Sequence, residues 1–340
     1  MALFENALGP KRWRNEAGWR IAGSRPLDAS KVQAPSVVRL PDGTFRLFYT
    51  AIGPGKPYPL CQGYILSAVS DDGLNFKVEN GIRLATDPDI PWRSRRVLAP
   101  AVTVLSDGGW RMYFEARGQV ALPTVIASAT SRDLLTWEVE VGVRLQKSSD
   151  IGGPRCVRLP DGRSRIYCFS RADCSVVSAI TTDGLTFEWE PGERLQGGQA
   201  ELESSGITAA DVIPPANPDD QWTMLYSAWQ AVPPGTEVPP HPSTNAALAD
   251  SPDIDFADAS IAADMAGYRS RIFTASSPDG LTWQRQSLAL EGDGYGGNHV
   301  GAVHAEDMSV MHLGDGHYRM YYAACDARGI WRIASAISEG

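Results

Sequence analysis

The chain has 340 residues, including 33 glycines and 24 prolines, and a formal net charge of −9 at pH 7. So many turn-forming residues predict an all-β protein of one domain rather than a helical one. The acidic balance argues against nucleic acid as the main partner, and no run of eighteen apolar residues is present to span a membrane.

The first residues, MALFEN, lack the basic and apolar regions of a secretory signal. The five cysteines are odd in number and show no paired metal spacing. Two of them, Cys156 and Cys168, fall in predicted strands, where a buried thiol is the simpler interpretation. We therefore expect a cytoplasmic protein without a cofactor or a bound metal, although His299, His304 and Glu306 could serve as metal ligands at a spacing that is not diagnostic.

A ten-residue phrase repeats along the chain, starting near the N-terminus. Residues 13–22 (WRNEAGWRIA) match residues 76–85 (FKVENGIRLA), and the phrase recurs at 137–146, at 187–196 and more loosely after Trp283. Each internal copy follows a serine or threonine turn such as SDDGLNF (70–76) or SPDGLTW (277–283). The turn appears once more as SEG at 338–340, where no copy of the phrase follows. The N-terminal copy is therefore predicted to supply the outer strand of the last unit and to close a ring.

Each unit has four parts, namely an apolar run, an aromatic alternating run, a third run and the ten-residue phrase. Short alternating runs bounded by Gly, Pro and Asp predict β-strands, and four strands in each repeat predict the blade of a propeller. Five units are present, so the sequence predicts a five-bladed β-propeller. The predicted blades cover about 32–92, 97–147, 152–198, 207–291 with an inserted loop at 230–271, and 305–340 completed by 12–23.

In a propeller the first strand of each blade lines the central channel, and long loops at its mouth usually carry function. The loop 230–271 is predicted to be a lid or an oligomer contact, and the loop 291–305 is rich in glycine without the pattern of a phosphate loop. The residue before each first strand is predicted to lie at this mouth, and two of the five are acids: Ala34, Ala99, Gly153, Asp211 and Asp307.

Acids at a channel mouth can share protons, so Asp211 and Asp307 are candidate catalytic residues, with Glu306 as an alternate acid. They could equally be bound to neighbouring backbone N–H groups. Of the histidines, His304 is a candidate acid–base group and His299 a candidate ligand of the substrate.

Cations gather at the same mouth. Arginine forks suit carboxylate or phosphate recognition, although these arginines could simply neutralise the channel acids. Trp229 could stack on a sugar or anchor a loop. The candidate substrate-binding residues here are Arg96, Glu115, Arg117, Arg155, Arg171 and Trp229.

The blade turn SRDLLTW (131–137) and the opening APSVVRL (34–40) resemble the five-bladed propellers of the furanosidase superfamily, glycoside hydrolase families 43, 62, 32, 68, 117 and 130. The resemblance implies a carbohydrate-active propeller. Family 43 carries acids where this chain has Ala34, the segment 99–101 (APA) and the segment 153–155 (GPR), and the WMNDP opening of family 32 is absent. The family's acids are therefore not in their usual blades.

Three functions remain open. The first is a glycoside hydrolase-like enzyme that acts on a small sugar, neutral or anionic, through the carboxylates of Asp211 and Asp307. The second is a lyase or isomerase of a small carboxylated metabolite, with His304 or His299 as the base and arginines as the clamp. The third is a carbohydrate-binding propeller without catalysis.

Overall fold

The computed structural model describes residues 12–52, 63–118, 121–217, 220–237 and 267–339. It confirms an all-β, five-bladed propeller whose sheets are antiparallel. One short 3-10 helix, Glu201–Glu203, is the single helix among the described residues. None of these residues forms a helix that is long and apolar enough to cross a membrane.

The strands are numbered in chain order. Blade one holds β2 (Lys31–Arg39), β3 (Phe45–Ile52), β4 (Gly63–Ser70) and β5 (Lys77–Val78). Blade two holds β6 (Arg96–Val104), β7 (Trp110–Arg117), β8 (Val125–Ser131) and β9 (Glu138–Val139). Blade three holds β10 (Ile151–Arg158), β11 (Ser164–Ser170), β12 (Ser175–Thr181), β13 (Glu188–Trp189) and β14 (Leu195–Gln196). Blade four holds β15 (Gly206–Ile213), β16 (Trp222–Ala231), β17 (Tyr268–Ser277) and β18 (Gln284–Leu290), and blade five holds β19 (His304–Gly314), β20 (His317–Cys325), β21 (Trp331–Glu339) and β1 (Arg12–Asn15).

The N-terminal strand completes blade five, as the position of its repeat predicts. Strand β1 pairs with β21, with Trp13 opposite Ser338, and Ile21 continues the pairing with Ile333. Pairing the first strand with the last gives blade five its outer strand and covers an edge that would otherwise be open to other chains.

Four of the five first strands contain a bulge at the same level. The residue at its start has a positive φ, namely 47° at Ala34, 48° at Ala99, 56° at Gly153 and 50° at Asp307, and the register shifts there. A non-glycine residue in this region is uncommon and strained. The bulge re-aims the side chain at the mouth of the channel.

Blade four differs, and this corrects the predicted alignment of its first strand. Its register shift falls between Ile207 and Ala209, so that Thr208 is the extra residue. Asp211 then pairs with Leu225, as Arg155 pairs with Tyr167 in blade three. Asp211 therefore lies one level deeper in the channel than Asp307.

Neighbouring blades share one contact that repeats around the ring. In blade two, the Arg111 guanidinium pairs with Glu140 of its own outer strand at 2.9 Å and donates to the Asp183 carbonyl in the turn of blade three at 3.3 Å. The hydroxyl of Tyr113 donates to the next carbonyl, that of Gly184, at 2.9 Å. The arginine bonds of this latch recur between blades one and two, three and four, and five and one, through Arg46–Glu79, Arg165–Glu190 and Arg319–Glu16. Blade one has Phe48 in place of the tyrosine.

The junction between blades four and five lacks this latch among the described residues. Thr223, Leu225 and Gln286 stand where the other blades have the arginine, an aromatic residue and the glutamate. Blades four and five are joined instead nearer the mouth of the channel, where Trp229 donates to Glu306 at 2.7 Å and Ser270 bonds to His304 at 3.1 Å. The repeat thus has one irregular junction, and it lies beside the candidate site.

Replacing Arg165 with alanine should lower the free energy of unfolding by about 3–5 kcal/mol, because it leaves the partly buried Glu190 without its partner. The two side chains are 7% and 12% exposed, so solvent screens the pair weakly. Urea denaturation measures the change. Thr223→Ala, at the equivalent position of the unlatched junction, should stay within about 0.5 kcal/mol; equal losses in the two variants would contradict the role of the latch.

Candidate active site

A pocket of about 300 Å³ opens where the N-terminal ends of the first strands meet. We call it the inner pocket. Its wall combines carboxylates, two cations, hydroxyl groups and two aromatic rings, which is the mixture that a polar ligand with an apolar face requires. The residues that matter below are Lys31, Glu115, Thr124, Asp150, Phe169, Arg171, Trp229, Glu306 and Asp307.

Arg155 closes the channel beneath the inner pocket. Its two terminal nitrogens donate to four backbone carbonyls, those of Pro35 (3.2 Å), Pro100 (3.4 Å), Pro154 (2.8 Å) and Met308 (2.9 Å). These carbonyls belong to the bulges of blades one, two, three and five. Arg155 is predicted to bind substrate, but its guanidinium is bound to backbone carbonyls of four blades. It contributes no atom to the described wall of the pocket.

Asp307 lies at the mouth as predicted and lines the inner pocket. Burial raises the pKa of its carboxyl to about 8, and the charge of Glu306 adds to the shift, while Lys31 and Arg155 oppose it. A carboxyl with such a pKa carries its proton at neutral pH and can donate it, as a general acid must.

Glu306 is buried beside Asp307, and its Oε2 accepts a hydrogen bond from the indole N–H of Trp229 at 2.7 Å. The Trp229 ring packs on Tyr268 with centroids 5.6 Å apart, so its orientation is fixed from behind. On the blade-one side, the Lys31 ammonium lies 3.9 Å from the centroid of Trp331, a cation–π contact that holds it in the wall. The positions of the Trp229 ring, the Glu306 carboxylate and the Lys31 ammonium are therefore fixed by contacts within the protein on this side of the pocket.

Glu115 reaches the pocket from the second strand of blade two. Its Oε2 accepts the Gly153 N–H at 3.3 Å, and it lies so close to Gly152 that a Cβ there would collide with it. Burial raises the pKa of the Glu115 carboxyl, opposed by Arg96 and by the Gly153 N–H. This carboxyl thus lies over Gly153, at the start of blade three.

Asp150 is held in its charged form at the edge of the pocket. Arg117 donates to both of its oxygens at 3.2 and 3.1 Å, and the Thr124 N–H donates at 2.8 Å. Burial acts against the charge, but these donors lower the pKa of Asp150. Arg117 is thus bound to an acid of the ring, and Arg171 lies exposed at the rim of the same pocket.

Asp211 is tied to the backbone rather than aimed into the inner pocket. Its carboxylate accepts the N–H of Val212 at 2.9 Å and that of Val310 at 2.7 Å, which joins blade four to blade five. Burial raises the pKa of this carboxyl, and Arg155 opposes the shift. The structure does not bring Asp211 together with Asp307 in the wall of the pocket.

The two histidines lie behind the wall. His304 is fully buried, bonds to Ser270 at 3.1 Å and stacks on Trp331 with centroids 5.4 Å apart. His299 accepts the Gly301 N–H at 3.1 Å. Neither lines the inner pocket, and no group of three His, Cys, Asp or Glu residues within the described ranges could hold a metal ion.

The predicted long loops flank blade four. Strands β16 and β17 extend the hairpin as far as Ala231 and Tyr268, which pair with each other. The rest of the predicted lid or oligomer contact, 238–266, lies outside the described residues. In the glycine-rich loop, the Gly294 N–H donates to the Ala302 carbonyl at 2.7 Å, so part of that loop is folded back on itself.

Sequence reasoning missed Lys31, Asp150 and Phe169. Lys31 lies three residues before the bulge of blade one, within strand β2. A signal was present, because the residues just before each bulge alternate toward the channel, as Glu306 does before Asp307. Asp150 carries the same signal, because it lies three residues before the bulge residue Gly153. Phe169 offers no such signal, since it lies in the second strand of blade three.

No family model and no curated protein matches this chain in sequence. Solved structures match its fold. One, a glycoside hydrolase, has a TM-score of 0.66 at 16% identity over 96% of this chain and 92% of that chain. Another, from work on GH130 mannoside phosphorylases and hydrolases that target β-1,2-mannosidic linkages in Candida mannan, has a TM-score of 0.67 at 14% identity over 98% and 95%.

A third is β-1,2-mannobiose phosphorylase from Listeria innocua in complex with β-1,2-mannobiose, with a TM-score of 0.67 at 13% identity over 94% of each chain. The resemblance that the blade repeats indicate is thereby confirmed. At such low identity it establishes the fold of this chain, a five-bladed β-propeller like those of glycoside hydrolases and phosphorylases of family 130.

Proposed function

We propose that this protein cleaves a glycosidic bond of a small sugar held in the inner pocket, with Asp307 as the proton donor and Glu115 as the second carboxylate. The observation that carries the proposal is that the buried carboxyls of Asp307 and Glu115 line one polar pocket together with two aromatic rings. Burial raises the pKa of Asp307, which favours its acid form. Glycoside cleavage needs this pairing of an acid with a carboxylate.

Each of the two carboxyls lies near a position where the resemblance implies an acid that this chain lacks. Asp307 lies at the bulge of blade five, which is the level of Ala34 in the adjacent blade one. Glu115 reaches over Gly153, where the family's acid of blade three would begin. The two acids of this chain thus stand at other sequence positions than the resemblance implies, and both face one pocket.

In this mechanism Asp307 protonates the leaving oxygen, and the carboxylate of Glu115 stabilises or attacks the anomeric carbon, or activates water for that attack. Phe169 and Trp229 offer faces for the apolar side of a sugar ring. The alternative with a histidine base loses support, because His304 and His299 lie outside the pocket wall.

Glu115→Gln should reduce glycoside cleavage by about 10²- to 10⁴-fold while the protein still binds sugar. The assay is product formation from a panel of nitrophenyl glycosides and short oligosaccharides, followed by NMR, which also reads the configuration of the product. Glu138→Gln removes an exposed glutamate from the outer strand of the same blade and serves as the control. Sugar binding without product from any substrate would replace the proposal with the non-catalytic alternative.

A further inference from the structure

The junction of blades four and five carries a hydrogen bond between two residues of the inner-pocket wall. The indole N–H of Trp229 in β16 donates to Oε2 of Glu306 in β19 at 2.7 Å, and both residues line the pocket. At this junction Thr223 stands where the other blades have the latch arginine. One contact therefore joins two blades and also fixes two groups that a ligand in the pocket would meet.

Strand pairing gives these two side chains room to meet. Paired residues of neighbouring strands point their side chains to the same face of the sheet. Trp229 is paired with Gly206, which has no side chain and also lines the inner pocket. Glu306 is paired with Ala323, which has only a methyl group. The paired strand thus places no side chain over the indole ring, and the carboxylate can reach across the junction.

The hydrogen bond determines the orientation of the indole ring. The centroid of Trp229 lies 5.6 Å from that of Tyr268 and 6.1 Å from that of His304, with interplanar angles of 39° and 48°. Aromatic contacts of this kind tolerate a range of orientations, whereas a hydrogen bond to a carboxylate is directional and strong. The two rings therefore support the indole, and Glu306 sets its direction.

The position of Glu306 is itself fixed by the fold. Its side chain is buried, and it directly precedes the bulge residue Asp307 in strand β19. The same position, just before the bulge, holds Gln33 in blade one and Leu98 in blade two. The fold therefore accommodates an amide or an aliphatic side chain of similar size at this level, which makes both substitutions suitable as probes of Glu306.

We propose that Glu306 is a positioning residue that acts through Trp229, and that the indole ring it orients is the platform for the apolar face of the substrate sugar. The inference rests on the proposed function for the identity of the ligand as a sugar. An aromatic side chain that is oriented before binding loses less conformational entropy when the ligand arrives. The sequence predicts Glu306 as an alternate acid, whereas this inference assigns its Oε2 to the orientation of the platform.

The test compares variants that keep or remove the hydrogen bond. Glu306→Gln keeps an oxygen for the indole N–H, Glu306→Leu removes it, and Trp229→Phe removes the donor but keeps an aromatic face. Methyl β-glucoside, methyl β-galactoside and methyl β-mannoside are titrated into the full chain by saturation-transfer NMR. For the sugar that the wild type binds best, Glu306→Leu and Trp229→Phe should each raise the Kd by about 3- to 10-fold, the usual cost of ordering one side chain. Glu306→Gln should recover most of the affinity.

Three further measurements distinguish positioning from a merely structural role. The double variant of Glu306→Leu with Trp229→Phe should bind no more weakly than either single variant, because both remove the same bond. The indole N–H resonance that disappears in Trp229→Phe should move upfield in Glu306→Leu and stay near its wild-type place in Glu306→Gln. Trp189→Phe, in the outer strand of blade three, is the matched control and should leave the Kd unchanged. Urea denaturation of the same variants shows whether stability changes without a change in Kd, as a structural role alone would require.

Unchanged affinity in Glu306→Leu, additive losses in the double variant, or no binding of the three sugars by the wild type would overturn the inference. Equal losses in Glu306→Gln and Glu306→Leu would also overturn it, because the charge and not the hydrogen bond would then be responsible. If the sugars bind with the expected dependence on Glu306 but no glycoside is cleaved, the inference holds and the proposed function fails. If glycosides are cleaved while Glu306→Leu leaves the affinity unchanged, the proposed function holds and the inference fails.

Discussion

Replacing Asp307 with asparagine should lower the rate of glycoside cleavage by about 10²- to 10⁴-fold, the usual contribution of a positioned general acid. Asparagine keeps the size of the side chain and removes the proton that can be donated. The loss should appear in kcat more than in KM, because protonation of the leaving oxygen develops in the transition state. Steady-state kinetics on the best substrate of the panel measures both constants.

The pH dependence identifies the same carboxyl. Burial and the charge of Glu306 raise the pKa of Asp307 to about 8, so wild-type activity should fall as the pH rises through that value and the donor loses its proton. Residual activity of Asp307→Asn should lack this alkaline limb. A limb that persists unchanged in the variant would assign it to another group.

Stability should respond in the same sense as activity. Between the unfolded pKa near 4 and the folded value, the folded state binds more protons than the unfolded state, so the contribution of Asp307 to stability falls as the pH rises across this window. Asp307→Asn has no such cost, and its melting temperature should exceed that of the wild type more at pH 8 than at pH 4. A constant difference at all pH values would contradict the raised pKa.

Asp211→Asn separates a catalytic from a structural carboxylate. Asp211 accepts two backbone N–H groups and lies outside the pocket wall. The substitution should therefore change stability while leaving most of the activity intact. Loss of activity as large as that of Asp307→Asn would restore the pairing of Asp211 with Asp307 that the sequence favoured.

The fold could be predicted because its signals are local and repeated. The ten-residue phrase and its turn mark every blade, and the copy at residues 13–22 indicates how the ring closes. The same regularity explains the error at blade four. An alignment on the aromatic runs assumes one bulge position, but blade four moves its bulge to Thr208, and Asp211 then faces a deeper level.

The site could be predicted only in part, because it depends on residues that the ring brings together across blades. The sequence predicts Asp307, Glu306 and Trp229 as site residues, yet nothing in it shows that Trp229 donates to a residue 77 positions away. Glu115 could be named as a mouth residue, but its position over Gly153 depends on how a second strand meets the first strand of the next blade. Such distances are set by the packing of neighbouring blades rather than by the separation of residues along the sequence.

Arg155 is the clearest case of a role that only the ring creates, and its removal should have the largest effect on stability. Arg155→Met should lower the free energy of unfolding by about 3–5 kcal/mol or more, because buried carbonyls that have lost their donor pay the cost of desolvation. The carbonyls belong to Pro35, Pro100, Pro154 and Met308, which lie in four different blades.

Lysine at this position should recover part of the loss, since its ammonium has three donors and the same charge but not the planar fork. Urea denaturation of Arg155→Met, Arg155→Lys and the exposed control Arg158→Met measures the three effects, and equal stability of the two methionine variants would contradict the role of Arg155 as the closure of the channel. The positive charge of Arg155 also lowers the pKa of Asp307. If the lysine variant is folded, its activity should fall at nearly the same alkaline pH as that of the wild type. In the methionine variant the activity should fall at a higher pH, because the charge that lowers the pKa of Asp307 is gone. The closure of the channel is thus linked to the chemistry above it.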